Sequence, residues 1–330
     1  MAEQPFVQLQ HLTHCYGPTV ALQDVSLRLC PGTIGLVGNN GAGKSTLLKI
    51  LLGMLRPTRG RVEVFGVPLP QARGQLRRRF GYLAEATAVL PLLRGVEYVA
   101  LSGQLYGMSR RQSFRRAHEV LGYVGLGELR YRRVDEYSRG NLQRLKLAAA
   151  LVHDPEVLLL DEPTNGLDPP GREAMLALLQ DLIAQGRKSV LLCTHLLGDV
   201  QRLCRHVVML ARGRVVYDGP LAPLLQQQGA QWHLRWRGPG EPWLAWLRRQ
   251  GVQVEPSQNN SHPGALLTLP AGWDTRRLFQ SAVEHQVVIQ TLAPVERDLE
   301  SVFLHLARND SPAPSPAAES RDEAPPCPST

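Results

Sequence analysis

The sequence predicts an α/β protein: a mostly parallel sheet covered by helices, interrupted by a helical insertion and followed by a small α+β domain. Three observations carry that reading. Short apolar runs alternate with helical patterns up to about residue 225, the order expected of parallel strands joined by helical crossovers. One of these runs leads directly into a glycine-rich loop that opens a helix. All five Trp (Trp232, Trp236, Trp243, Trp246 and Trp273) lie beyond residue 230, which marks a domain boundary just after Gln226-Gln227-Gln228-Gly229.

At 330 residues the chain has room for about two domains with sizeable cores. Apolar residues make up 43% and charged residues 20%, which excludes a disordered chain as the default. No apolar run reaches the ~18 residues of a membrane-spanning helix. Met1-Ala2-Glu3-Gln4-Pro5 lacks the basic patch and apolar stretch of a secretory signal. Five Cys, with no C-x-x-C pair, argue against a disulfide framework or a zinc site and suit a reducing cytosol. The net charge is +8, and only four of the 37 basic residues are Lys. That balance permits an anionic partner (nucleotide, nucleic acid or lipid headgroup) and selects none of them.

Taken in order, residues 21–29 and 33–37 read as strands, 44–53 as a helix and 61–65 as a short strand. Between about residues 92 and 152 the strand signals fade, and Arg- and Leu-rich helical stretches take over. A fully apolar strand follows at 157–160, then a helix at 171–185, a strand at 189–193 and a short helix at 196–204. A hairpin of 207–210 and 214–217, turning at Arg212-Gly213, closes the first domain, assigned to residues 1–228 with its helical subdomain at about 86–152. Residues 229–308 form the second domain, with strands at 231–236, 252–255, 265–269 and 287–291 and helices at 241–250, 274–285 and 296–308. Six of those seven elements follow the β-α-β-β-α-β order of ferredoxin-like domains. Residues 309–330 read as a disordered Pro/Ser-rich tail, with six Pro after residue 310. Cys327-Pro328-Ser329-Thr330 is no prenylation box, because Pro replaces the aliphatic residue.

Gly38-Asn39-Asn40-Gly41-Ala42-Gly43-Lys44-Ser45 matches the G-x-x-x-x-G-K-[ST] phosphate loop, and it sits between an apolar strand and a helix, as that chemistry requires. Glycines let backbone N–H groups close around phosphate oxygens, and the helix N-terminus adds partial positive charge. Lys44 would reach the β- and γ-phosphates, and the Ser45 hydroxyl would ligate Mg²⁺. Val157-Leu158-Leu159-Leu160-Asp161-Glu162 is an apolar run ending in two carboxylates. Ligands in open α/β sheets bind at the carboxyl ends of strands, so this pair points toward the same crevice. Asp161 would hold Mg²⁺ through its water shell, and Glu162 could polarise an attacking water. These two motifs define a nucleoside triphosphatase.

Residues 7–225 resemble the nucleotide-binding subunit of ABC transporters, through six elements in the family's order. Tyr16-Gly17 precedes Ala21-Leu22-Gln23-Asp24-Val25-Ser26-Leu27, at the place of the family's adenine-stacking aromatic. The phosphate loop comes next, followed by Gly81-Tyr82-Leu83-Ala84-Glu85 at the Q-loop position. Tyr137-Ser138-Arg139-Gly140-Asn141-Leu142-Gln143-Arg144-Leu145 stands where the family has its signature L-S-G-G-Q, shortly before the carboxylate strand. Asn165-Gly166-Leu167-Asp168 matches the D-loop, and Thr194-His195 the switch histidine.

The resemblance implies the family's ATPase fold and an ATP site formed by Tyr16, Gly38, Asn39, Asn40, Gly41, Ala42, Gly43, Lys44, Ser45, Thr46, Glu85, Asp161 and Asp168. Ser45, Glu85 and Asp161 would serve Mg²⁺, while Lys44, Glu162 and His195 would serve hydrolysis. Ser138, Arg139 and Gly140 would bind the γ-phosphate of ATP held by an opposite subunit, so that a homodimer or paired subunits sandwich two ATP head to tail. Glu85 replaces the usual glutamine, a form common in exporters with separate membrane subunits, and its carboxylate can still ligate Mg²⁺. The signature lacks its first Leu, third Gly and final Gln but keeps Ser138 and Gly140. Residues 294–304 look like the closing helix of drug- and lipid-type exporter ATPases; the plainer reading is an ordinary amphipathic helix with a core-facing stripe of Leu299, Val302, Phe303 and Leu306.

Some of these residues also have plainer readings. Tyr16 alone fits a core strand aromatic, Asp168 before Pro169 fits a helix N-cap, and His195 fits an ordinary turn histidine. Arginines 77–79, 110, 111, 115 and 116 read as a solvated basic face rather than a nucleic-acid stripe. The overall expectation is an exporter ATPase working with a separate transmembrane permease at the cytoplasmic face of the membrane, and cytoplasmic without that partner. Two alternatives are a soluble ATPase of the same type acting on nucleic acid or ribosomes, and a regulatory ATPase module. The first is disfavoured because such relatives carry two ATPase units or a long coiled coil.

Overall fold

The computed structural model describes residues 4–69, 71–86, 89–226, 231–256, 264–270, 273–294 and 299. Two compact units result, the first ending at Leu221 and the second beginning at Ala222. The second unit thus begins a few residues before the Gln-rich stretch, of which residues 227–229 lie outside the described residues. The expected tail lies outside them too, as does the expected closing helix apart from Pro294, which ends a strand, and Leu299.

The first unit holds two sheets where the sequence led us to expect one. Six strands form a sheet in the spatial order Arg214–Pro220, His206–Ala211, Thr33–Val37, Ser189–Thr194, Val157–Asp161, Phe80–Leu83. All neighbours are parallel except the edge hairpin, which turns through Arg212 and Gly213, both at positive φ. Every residue of Thr33–Val37 and Val157–Asp161 is buried, as expected of parallel strands covered on both faces. The other sheet is antiparallel, in the order Thr19–Leu29, Val7–Tyr16, Arg59–Val64, Val67–Pro68. Strand Thr19–Leu29 buries Leu22, Val25, Leu27 and Leu29 along one face, a pattern that belongs to a half-covered antiparallel strand.

The phosphate-loop helix Lys44–Leu51 is seated in an apolar cluster through Leu47, Leu48, Ile50 and Leu51, together with residues of both sheets. Burying each such side chain contributes about 1.5–3 kcal/mol, so the core fixes the helix start that follows the loop. The helical insertion comprises Gly95–Leu105, Arg110–Tyr123 and Arg139–Leu151. A capping box between Ser109 and Gln112 starts the second of these, and Ser138 caps the third by accepting from the Asn141 N–H at 3.3 Å.

The second unit has strands Gln231–Arg237, Gln253–Pro256, Gly264–Thr268 and Val288–Pro294 and helices Gly240–Arg249 and Thr275–Glu284. Its sheet runs in the order second, third, first, fourth with every neighbour antiparallel, the ferredoxin-like topology. Trp243 is fully buried between helix and sheet, and its indole N–H donates to Ser281 Oγ at 3.0 Å.

Candidate functional site

The loop from Gly38 to Gly43 joins the strand Thr33–Val37 to the helix Lys44–Leu51. Gly43 has φ +103°, and a Cβ there would lie 2.6 Å from the Ala21 carbonyl oxygen, so only glycine fits. A Cβ at Gly38 would collide with the Leu210 carbonyl. The Lys44 side chain is 7% exposed and donates to the Gly38 carbonyl at 2.7 Å and the Asn39 carbonyl at 3.3 Å. An ammonium buried against neutral carbonyls of its own loop attracts an anion strongly.

Beside it lies a cavity of about 360 Å³ lined by Ala21, Asn40, Gly41, Gly43, Lys44, Ser45, Thr46, Glu85, Asp161, Glu162, Asn165 and His195. Ten residues expected from the sequence are therefore gathered on one wall system: those from Asn40 to Thr46 (Ala42 apart), Glu85, both carboxylates and the histidine. Gly38, Asn39 and Ala42 shape the loop from behind, with the Ala42 N–H donating to the Asn39 carbonyl at 3.0 Å.

Asp161 ends its strand with a side chain 5% exposed. Burial pushes its carboxyl up from the ordinary value, the charges of Glu85 and Glu162 push the same way, and hydrogen bonds from Cys193 and Tyr82 oppose them. Burial, reinforced by the Asp161 charge, also raises the Tyr82 hydroxyl, which lies 3.4 Å from Asp161 Oδ2. Lys146 is the cation that the sequence did not reveal. It donates to the Glu85 carbonyl at 3.3 Å, and burial lowers its pKa while Asp161 and Glu85 hold it up.

Glu162 follows at φ +49°, a left-handed conformation unusual for a residue with a side chain. The turn is held by the Glu162 N–H to the Cys193 carbonyl at 2.8 Å and by the Asn165 N–H to the Glu162 carbonyl at 3.2 Å. Its carboxylate is 5% exposed overall and accepts from the Thr194 hydroxyl at 2.9 Å, the His195 N–H at 3.0 Å and His195 Nδ1 at 2.9 Å. His195 therefore faces Glu162 rather than standing as an isolated turn histidine. Thr194 and Asn165, whose amide lies 3.4 Å from Glu85 Oε1, carry site contacts that only the flanking motifs hinted at.

Besides Gly38, Asn39 and Ala42, five expected residues do not line this cavity: Tyr16, Ser138, Arg139, Gly140 and Asp168. Tyr16 is 45% exposed, which overturns its reading as a core aromatic, and it meets the buried His14 ring edge-on at 4.7 Å. Ser138 and Arg139 are exposed at the start of their helix, and a Cβ on Gly140 would meet open space. Asp168 does occupy the N-cap position of Pro169–Ala184, yet its side chain makes no capping hydrogen bond.

Among the described residues no group of three or more His, Cys, Asp or Glu could cage a metal. Ser45, Asp161 and Glu85 nevertheless share the cavity, and an all-oxygen set with few protein donors fits Mg²⁺ held partly by phosphates and water. A glycine loop with a buried ammonium, next to a carboxylate that ends a strand and a second one bonded to histidine, can bind a nucleotide's phosphates and direct a water at them.

Comparison with known proteins shows what the chain is similar to. The family model described as ABC transporter matches residues 22–165. The chain is 32% identical over 304 residues to the ABC transporter ATP-binding protein YxlF of Bacillus subtilis, covering 90% of this chain and 98% of that one. It is 34% identical over 303 residues to the daunorubicin resistance ATP-binding protein DrrA3 of Streptomyces coeruleorubidus, covering 89% and 93%. Among solved structures it is similar to the dimeric ATP-binding cassette MJ0796 in a post-hydrolysis state with ADP and Pi, with TM-score 0.60, 27% identity, and coverage of 65% of this chain and 98% of that one.

Proposed function

The chain belongs to the ABC transporter ATP-binding family, and from that premise we propose that it energises an exporter by ATP-driven closure of a head-to-tail dimer. It is an ATP-binding, ATP-hydrolysing subunit; subunits of this family work with membrane permeases. The observation that carries the mechanism is the cavity joining Lys44 to the Glu162–His195 pair. In this reading the phosphate loop takes the β- and γ-phosphates, and Lys44 exchanges its carbonyl partners for phosphate oxygens. Ser45, Asp161 and Glu85 would hold Mg²⁺, which would supply neutralising charge to the phosphates. Glu162 orients the attacking water with the lone pairs that Thr194 and His195 leave free. His195 keeps that carboxylate aimed and presents its other ring nitrogen toward the γ-phosphate.

Ser138, Arg139 and Gly140 contribute to the site of a second subunit, which fits their exposure at a helix start outside their own cavity. Tyr16 stacks on adenine, and Asp168 sits at the subunit seam. The exporter reading is supported by relatives named for daunorubicin resistance, Nod factor export and bacitracin transport. No helix among the described residues is long and apolar enough to cross a membrane. In this reading a separate permease supplies the pathway and the subunit works at the cytoplasmic face.

The test is fractionation with and without the co-expressed candidate permease. Partner-dependent membrane attachment that survives moderate salt supports an apolar docking contact, which salt does not screen. Attachment absent in both cases, with ATPase activity stimulated by DNA or RNA and salt-dependent affinity, would overturn the reading in favour of a nucleic-acid function.

A further inference from the structure

Asp199 lies four residues beyond His195 in the helix Leu197–Leu203, and it is 1% exposed. Its carboxylate Oδ2 accepts from the Thr164 hydroxyl at 2.5 Å. Oδ1 accepts from Arg172 Nε at 3.0 Å and from Arg172 Nη2 at 2.5 Å. Each donor comes from a different segment. Thr164, 2% exposed, sits in the tight turn that begins at Glu162 and closes by the Asn165 N–H to the Glu162 carbonyl. Arg172 lies in the first turns of the helix Pro169–Ala184, where its own N–H bonds the Asp168 carbonyl at 2.9 Å.

We propose that Asp199 is a positioning residue for hydrolysis, a buried carboxylate that ties the Glu162 turn, the Asp168 segment and the His195 segment into one rigid unit. The inference rests on the function proposed above and deepens it. Asp199 lines no part of the cavity, so it acts through others. Thr164 is the route to Glu162: the turn holding φ +49° at Glu162 is anchored two residues later by this hydroxyl. The route to His195 is the helix itself, whose first N–H bonds include Asp199 to the Leu196 carbonyl at 3.0 Å. A second hydroxyl, that of Thr194, closes the loop by donating to Glu162 and accepting from the Leu196 N–H at 3.0 Å. Arg172, itself partly exposed, sets an opposite charge beside the buried carboxylate, which is thereby engaged on both oxygens. A small loss of aim in such a unit costs rate far more than affinity, on the order of 10²-fold for a shift of about 1 Å.

The test uses the full chain with its permease. Asp199→Asn keeps the volume but leaves one carbonyl oxygen to serve two donors, and Thr164→Val removes the hydroxyl at nearly equal size. Each should lower kcat about 10–100-fold while nucleotide affinity, read with a fluorescent ATP analogue, stays near wild type. The double variant should lose no more than the worse single one, because both break the same link. Thr164→Ser, which restores the hydroxyl, should recover most of the turnover. Losses that simply add, or a lowered melting temperature with kcat intact, would overturn the proposal and leave Asp199 a packing residue. If Asp199→Asn does not fold, the Thr164→Val and Thr164→Ser pair decides alone. A wild-type chain that neither binds nor hydrolyses ATP would instead defeat the functional reading on which this inference rests.

Discussion

His195 Nδ1 lies 2.9 Å from Glu162 Oε1, while the Thr194 hydroxyl lies 2.9 Å from Oε2 of the same carboxylate. The last residue of one parallel strand and the residue after it thus grip the residue that follows the end of its neighbour. Parallel pairing of Asp161 with Cys193 puts these strand ends side by side, so the contact is a consequence of register. Glu162 lines the cavity with both carboxylate oxygens held, which suits the water-orienting role proposed for it.

Glu162→Gln is the direct check on that role. A glutamine offers one acceptor where Thr194 and His195 both donate, so its amide cannot reproduce the grip. We expect ATP binding to persist, turnover to fall about 10²–10⁴-fold, and an ATP-bound dimer to accumulate in light scattering. Near wild-type turnover would remove Glu162 from the mechanism.

Lys44→Ala should behave differently, because in the proposed mechanism Lys44 meets phosphate before any chemistry begins. Losing charge-assisted hydrogen bonds worth about 1.5–3 kcal/mol should weaken ATP binding by roughly 10–100-fold. Isothermal titration separates the two variants: affinity falls in this one and holds in Glu162→Gln. An unchanged Kd would contradict the phosphate contact.

What the residues disclosed in advance follows a physical rule. Local patterns were legible: the apolar run before Asp161, the glycines before Lys44 and the hairpin at Gly213 each record a short-range constraint. The strand Val7–Tyr16 was not legible, because register shifts between Leu9 and His14 break its alternation. Neither was Phe80–Leu83, four residues directly behind an arginine-rich helix. The first omission made one sheet of two, because Val7–Tyr16 is the strand that pairs with both Thr19–Leu29 and Arg59–Val64. Within the site, Lys146 and Asp199 carry no motif of their own, since each acts across a contact between segments far apart in sequence. Spacing along a chain records a loop that binds a ligand; it does not record which side chain braces that loop from behind.

Ser138→Arg tests the head-to-tail arrangement. Ser138 is exposed, caps its own helix and lines no part of the cavity in its own subunit. A large cation there should leave monomer ATP affinity unchanged and abolish the ATP-dependent dimer in the Glu162→Gln background, where that dimer is most stable. A bland loss of stability is separable, because replacing a serine N-cap costs only about 0.5–2 kcal/mol. Lower monomer affinity with dimerisation intact would mean that Ser138 serves its own nucleotide.

The pH dependence of stability should report His153, which sits between the helical insertion and the strand Val157–Asp161. Its ring stacks on Tyr106 with centroids 3.5 Å apart, and Nε2 lies 3.0 Å from the Phe80 carbonyl oxygen. Burial lowers its pKa from 6.5, and the positive charge of Lys188 lowers it further, while the Phe80 hydrogen bond and Asp154 oppose them. The folded chain therefore keeps this imidazole neutral at a pH where the unfolded chain has already taken up a proton. Stability from this group is fully present above the unfolded value and declines as pH falls from about 6.5 toward the lower folded pKa. Melting temperature should drop between about pH 7 and pH 5 in the wild type and drop less steeply in His153→Phe, which keeps a ring against Tyr106 but cannot titrate. Two parallel pH profiles would show that the imidazole titrates alike in both states, and would place the acid sensitivity elsewhere.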